Sequence, residues 1–268
     1  MQSTKRKSLW SSGIIAVAVI LLMALSACSA SSTAKKAEEV VAKDPFTLFS
    51  DANKNMDEQE GVKQNMAISG TMKVAGQEQP IQMSGTVLMN KPYSSAMEMS
   101  MDLSTEVLGQ SVTTSGYYKD GYLYSSTMGQ KTKTKTDMDQ LRAQTGIAQF
   151  AKSAIIDQKS SKTAEGTALD FTVKGDALKE YALSSLQGLE ESSSIQYSFQ
   201  DVKVHAIVAD DGTLKSYEMT MPFSVTVSGQ AVEANMTIAV DDITYGKQNI
   251  VAPSDLDTYQ ETSASTAG

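Results

Sequence analysis

Between residues 66 and 103 the chain alternates apolar and polar side chains, and this pattern restricts its fold more than any other feature. In 66–74, Met66, Ile68, Met72 and Val74 point one way, and Ser69, Thr71 and Lys73 the other. In 81–89 the apolar set is Ile81, Met83, Val87 and Met89. In 96–103 it is Met97, Met99, Met101 and Leu103, set against Glu98, Ser100 and Asp102. A period of two with one apolar face predicts antiparallel strands covered on one side. Turn residues separate them: Ala75-Gly76-Gln77, Asn90-Lys91-Pro92, and Lys119-Asp120-Gly121 between two tyrosine-rich strands. A second meander is expected over 195–209, 214–227 and 232–244, with turns at Asp210-Asp211-Gly212 and Ser228-Gly229-Gln230.

Helical patterns frame and interrupt this sheet. Asp44 suits an N-cap and Pro45 a first helical position, so a helix is expected over 44–56 with Leu48, Ala52 and Met56 on one face. A second is expected over 137–156, broken near Gly146, with Leu141, Ile147, Phe150 and Ala154 as its apolar positions. A strand over 167–173 follows. A third helix is expected over 176–189, with a stripe of Leu178, Tyr181, Ala182, Leu186 and Leu189. The expected class is α+β: a large, curved antiparallel sheet, a half-barrel, with helices packed on its concave face.

The N-terminus points to export. Lys5, Arg6 and Lys7 precede an uncharged apolar run over 13–27, which ends in Leu25-Ser26-Ala27-Cys28. A basic start and a short apolar stretch make a secretory signal. The last four residues resemble the lipobox of bacterial lipoproteins. That resemblance implies cleavage between Ala27 and Cys28, with the Cys28 sulfur carrying a diacylglyceryl group. The alternative is an uncleaved membrane helix in which Cys28 is incidental. Residues 1–27 thus read as signal peptide and 28–43, small and charged, as a flexible tether. Residues 44–259 read as the domain and 260–268 as a disordered tail. The expected location is the extracytoplasmic face of the cell membrane, held by the lipid anchor, as a monomer. Cys28 is the only cysteine, so no internal disulfide can form. Losing the signal removes three cations and no acid, taking the formal charge from −8 to −11. So acidic a body argues against nucleic acid and against tight docking of the domain onto an anionic membrane.

The order of elements resembles that of the LolA- and LppX-like carriers: a first helix, a long meander, helices, a second meander. The segment Tyr117-Tyr118-Lys119-Asp120-Gly121-Tyr122-Leu123-Tyr124, with Gly129-Gln130-Lys131, resembles the central hairpin of Gram-positive lipoproteins of this kind. Pro253-Ser254-Asp255-Leu256-Asp257-Thr258-Tyr259 resembles their C-terminal end. The resemblance implies a half-open sheet whose concavity takes a lipid or an acyl chain; it brings no invariant site residue. Independently, the chain holds 15 Met against 6 Phe and 1 Trp, and a flexible, polarizable methionine wall adapts to varied apolar ligands. The candidate lining is Met72, Met83, Met97, Met99, Met101, Met219, Met221 and Met236. The competing expectation is a filled core in a non-enzymatic envelope interaction protein.

Other chemistry finds little support. The single histidine, His205, sits in an alternating strand with no Gly-x-Ser-x-Gly elbow to serve, and reads as an ordinary strand residue. Dinucleotide and phosphate loops are missing. Asp210-Asp211-Gly212 lacks the later ligands of a calcium loop, and Glu190-Glu191 and Asp241-Asp242 have no spacing that implies a catalytic dyad. No enzymatic activity, cofactor or metal is therefore expected. Met97, Met99 and Met101, joined by Met219 and Met221, offer a third reading as soft Cu(I) ligands. Lys131, Lys133 and Lys135 share a strand face, expected to be solvated or to guard an edge, with anionic headgroups as the alternative partner.

Overall fold

Strands dominate the computed structural model, which describes residues 43–74, 76–107, 110–136, 150–179, 195–227 and 230–262. The signal, the lipobox and nearly all of the tether lie outside the described residues. Among those described, no helix is long and apolar enough to cross a membrane.

Helix α1 (Pro45–Asp57) begins where its cap requires: the Asp44 carboxylate accepts from the Thr47 N–H and from its hydroxyl, both at 2.9 Å. Its buried stripe runs through Phe46, Phe49, Ala52, Asn53 and Met56, with Leu48 only partly buried. The expected face is rotated toward the two phenylalanines, which have the larger apolar area to remove from water.

The first meander is β1 (Gly61–Val74), β2 (Gln77–Asn90), β3 (Glu98–Val107), β4 (Gln110–Lys119), β5 (Tyr122–Thr127) and β6 (Gln130–Lys135). A 3-10 turn at Lys152–Ala154 leads into β7 (Ile155–Thr163) and β8 (Gly166–Val173). Then come β9 (Ile195–Phe199), β10 (Val202–Val208), β11 (Leu214–Val227), β12 (Gln230–Tyr245) and the short β13 (Gln260–Thr262). They form one curved sheet of 13 strands in the order β13-β6-β5-β4-β3-β2-β1-β12-β11-β10-β8-β7, with β9 also on β11. The two meanders join where β1 pairs with β12. No ladder among the described residues links the outermost strands, so the sheet is open.

Three expectations change, and one lies largely outside the described residues. The α+β label overstates helix: among the described residues α1 is the one long helix, and it covers one side of the sheet, against β7, β8, β10 and β11. The helices expected over 137–156 and 176–189 fall largely outside the described residues; 175–179 are helical, but 155–156 already belong to β7. Strand β7 escapes the sequence pattern because it is polar and carries a bulge between Ile156 and Lys159, where Asp157 takes φ 54°. The strand expected over 195–209 is cut at Gln200-Asp201, opposite Pro222, which has no N–H for the ladder; its carbonyl accepts from Gln200 N at 3.0 Å.

The hairpin turns are legible residue by residue. Asp120 and Gly121 take φ 52° and 81°, and Met128 and Gly129 take 50° and 80°, the double left-handed geometry that suits the twist of a two-residue hairpin. Residue-Gly-Gln recurs before β2, β4, β6 and β12, and the antiparallel order sets all four reversals at one end of the sheet.

After β12 the chain crosses to the far edge. Asn90 exchanges two hydrogen bonds with the Gln248 backbone, at 2.7 and 3.0 Å. Tyr259 packs edge-on against Tyr124 at 5.5 Å, and β13 pairs in parallel with β6. Residues 260–262, read from composition as the start of a frayed tail, are thus a strand. Lys131 pairs with Asp255, and Lys133 pairs with Glu261 at 3.3 Å. Lys131 and Lys133 are thus neutralised by the closing segment while Lys135 stays exposed, and β6 is not the edge.

Candidate functional site

Residues directly opposite in antiparallel ladders share a face. Tracing the registers places the candidate methionines on one apolar face. Met83 lies beside Ile68, which lies beside Ile238, then Met219. One step along, Ile81, Gly70, Met236 and Met221 form the next row, with Met221 directly opposite Met236. Met72 is opposite Ala234. Toward the other edge, Met99 is opposite Met89, and Met101 opposite Val87. Met101 lies across Gly116, where a Cβ would come within 2.3 Å of its Cε. Met97 precedes β3 and packs with Tyr93, Tyr118 and Leu123; its Sδ accepts from the Tyr93 N–H at 3.2 Å.

Burial divides the set. Met83, Met97, Met219, Met221 and Met236 are buried, whereas Met72, Met99 and Met101 are partly exposed. The cover differs along the sheet. Under α1, Phe171 meets Phe46 at 5.6 Å and Phe49 at 5.4 Å, and Phe49 meets Tyr217 at 6.0 Å. Over β1 to β4 there is no comparable described helix. Phe150, Ala154, Ala177 and Leu178, which border residues 137–149 and 180–194, join the same core.

One residue of this face was not foreseen. Gln64 is 1% exposed on the apolar side of β1, between Val62 and Met66 and opposite Val87. Its Nε2 has no hydrogen-bond partner among the described residues. Such a buried unmet donor costs about 1–3 kcal/mol. The signal was present in the sequence: extended back from Met66, the apolar phase of β1 runs through Gln64 to Val62.

The opposite face is polar. His205 is exposed there, its Nδ1 2.8 Å from Asp170 Oδ1, as expected of an ordinary strand residue. An open depression of about 560 Å³ is lined by Gln200, Asp201, Lys203, Thr220, Pro222 and Asn235. Near β4, Tyr117 donates to Glu98 Oε1 at 2.7 Å. This bond, with help from Lys119 and against the cost of burial, holds the Glu98 carboxyl below its usual range. Burial first, then the hydrogen bond to Glu98 and its charge, raises the Tyr117 phenol.

Among the described residues no three His, Cys, Asp or Glu side chains are grouped to hold a metal. The five-methionine copper cluster is not assembled along the sheet. β3 and β11 stand four ladder steps apart, about 19 Å along the sheet at the usual strand spacing.

No family model and no curated protein matches the chain. Among solved structures it is similar to LprF from Mycobacterium bovis, at 8% identity over 78% of this chain and 96% of that one, with a TM-score of 0.39. It is also similar to a domain named for outer membrane lipoprotein sorting from Vibrio parahaemolyticus, at 9% identity over 79% and 95%, with a TM-score of 0.27. A DUF1329 family protein from Desulfovibrio piger is similar at 7% identity over 79% and 94%, also with a TM-score of 0.27.

Proposed function

We propose that the mature protein is anchored to the outside of the cell membrane through a lipid on Cys28 and holds an apolar ligand, a lipid or acyl chain, against its methionine face. The observation that carries this reading is the partial exposure of Met72, Met99 and Met101 on the same face as the deeply buried methionines. Water-exposed apolar surface on the inside of an open sheet is stabilised by a hydrocarbon chain, at roughly 0.8 kcal/mol per buried methylene. Methionine side chains rearrange to fit such a guest at little cost.

The decisive experiment uses protein extracted from membranes. Solvent extraction should release acyl lipid beyond that bonded to Cys28, and the stripped protein should bind a fluorescent fatty-acid probe. Protein that carries no extra lipid and binds no probe sinks the reading. The burial of Met83, Met219, Met221 and Met236 favours a second one, a filled core in an envelope interaction protein. Under it, Met99→Ala lowers stability only. Under the ligand reading, the same change also raises the amount of probe bound.

A further inference from the structure

The polar outer face carries a recess that the methionine wall does not use. Side chains of a regular ladder fill a sheet face evenly, so an open depression of about 560 Å³ needs a cause. The registers supply it. Phe199 is opposite Phe223 and Lys203 is opposite Thr220, so three residues, 200–202, stand against two, 221–222. Pro222 sits at that step, inside a 14-residue strand with neighbours on both sides, where proline is found only at such irregularities. An extra residue in one strand re-aims side chains, and such bulges gather beside functional sites.

The recess is lined by Gln200, Asp201, Lys203, Thr220, Pro222 and Asn235. Among the described residues, nothing bonds the Lys203 ammonium or the Gln200 and Asn235 carboxamides. Asp201 uses one oxygen, Oδ1, which accepts from Gly175 N at 3.0 Å. Ala177 and Leu178, just beyond Gly175, pack against the core on the other face, so residues 175–178 turn away from the recess.

These groups set the class of guest. One cation, Lys203, and one anion, Asp201, line the same recess, so neither an anion nor a cation gains a net partner there. Two carboxamides and a hydroxyl add donors and acceptors together. The Pro222 ring is the apolar patch among them. A neutral molecule with many hydroxyls and an apolar C–H face matches that set, and this is the chemistry of a saccharide. At about 30 Å³ per water-sized group, the volume takes on the order of twenty such groups, the size of a disaccharide.

We infer that this recess is a binding site for a neutral saccharide, held by Lys203, Asp201, Gln200 and Asn235 with one sugar ring over Pro222. It lies on the face opposite the methionines, so it is independent of the apolar-ligand reading. An open site with a handful of hydrogen bonds holds its ligand weakly, with a Kd of about 1 mM.

The test titrates the full chain in detergent micelles with maltose and with the N-acetylglucosamine dimer, following side-chain amide signals by nitrogen-15 NMR. Glucuronic acid and glucosamine, anionic and cationic at about pH 6, are the charged controls. At least one disaccharide should shift the Gln200 and Asn235 signals and leave Gln64, on the other face, unmoved. Asn235→Ala and Lys203→Ala should each weaken binding about two- to tenfold. Their thermal midpoints should match the parent's, because both side chains are exposed. No shift with either disaccharide up to about 50 mM, which fills a millimolar site, overturns the inference. So do shifts that spare Gln200 and Asn235, or full affinity in both variants. Tighter binding of either charged control also overturns it and marks an ion site instead. Two sources of such a sugar are separable. Sedimentation of the chain with insoluble cell-envelope glycan, reversed by the disaccharide, marks a polymer; sugar binding without sedimentation marks a free saccharide. Either outcome supports the inference. Failure at the recess leaves the methionine-face reading standing, since the fatty-acid probe reports on the other side of the sheet.

Discussion

The two sides of the sheet bury the same apolar face by different means. Beneath α1, rings do the work: Phe46, Phe49, Phe171 and Tyr217 meet edge-on or tilted, with centroids 5.4 to 6.0 Å apart. Across β1 to β3 the face is methionine with valine, isoleucine, leucine and one glutamine, and three of its methionines keep contact with solvent. Rigid rings with few rotamers define one packing, whereas thioether chains accept several. The contrast teaches that one continuous sheet can be a fixed core at one side and an adaptable wall at the other, with no domain boundary between them.

The contrast predicts unequal responses to truncation. Phe49→Ala should cost about 3–5 kcal/mol in urea unfolding, because α1 loses its main contact with Phe171 and Tyr217. Met236→Ala should cost about 2–4 kcal/mol, since its site is buried but its neighbours are other flexible side chains. Met99→Ala should cost about 1 kcal/mol or less. A cost for Met99→Ala as large as that for Phe49→Ala would erase the distinction between the two sides and favour the filled core. Removing the Asp44 cap as Asp44→Ala should cost about 1 kcal/mol and loosen α1 without altering probe binding to the methionine wall. A concurrent loss of probe binding would show that α1 shapes both regions.

The smallest expected effect is acid sensitivity. Hydrogen bonds from Lys152 and Thr47, outweighing burial, lower the Asp44 carboxyl. The Lys131 bond lowers Asp255, and the Tyr117 bond lowers Glu98. Folded-state values below the unfolded ones mean that these groups stabilise the fold above about pH 4 and lose that contribution as pH falls through the folded values. Melting curves should therefore be flat between neutral pH and about pH 5 and drop below it. Screening at these exposed sites keeps the drop modest.

Much of the sheet was legible because a strand half-covered on one side writes its orientation into every second residue. Met66, Ile68, Met83, Val87, Met99 and Met101 fall on the face their phase assigns. Strand β7 was illegible because an edge strand such as Ile155–Thr163, polar and bulged, has no buried face to record. Gln64 was missed because it is polar at an apolar phase position, which pattern reading skips. The place where the closing segment docks was not legible because its pairs, Asp255 with Lys131 and Tyr259 with Tyr124, join residues more than a hundred positions apart.

Local chemistry alone determined the Asp44-capped helix, the Gly-containing turns and the phase of each long strand. These depend on neighbours along the chain, whose geometry the backbone fixes. Tertiary structure alone decided that β1 pairs with β12 to join two meanders into one sheet, that α1 covers one side of it, and that Gln64 is buried on the same face as the methionines. Those outcomes depend on which distant surfaces exclude water together, and no local pattern encodes that choice.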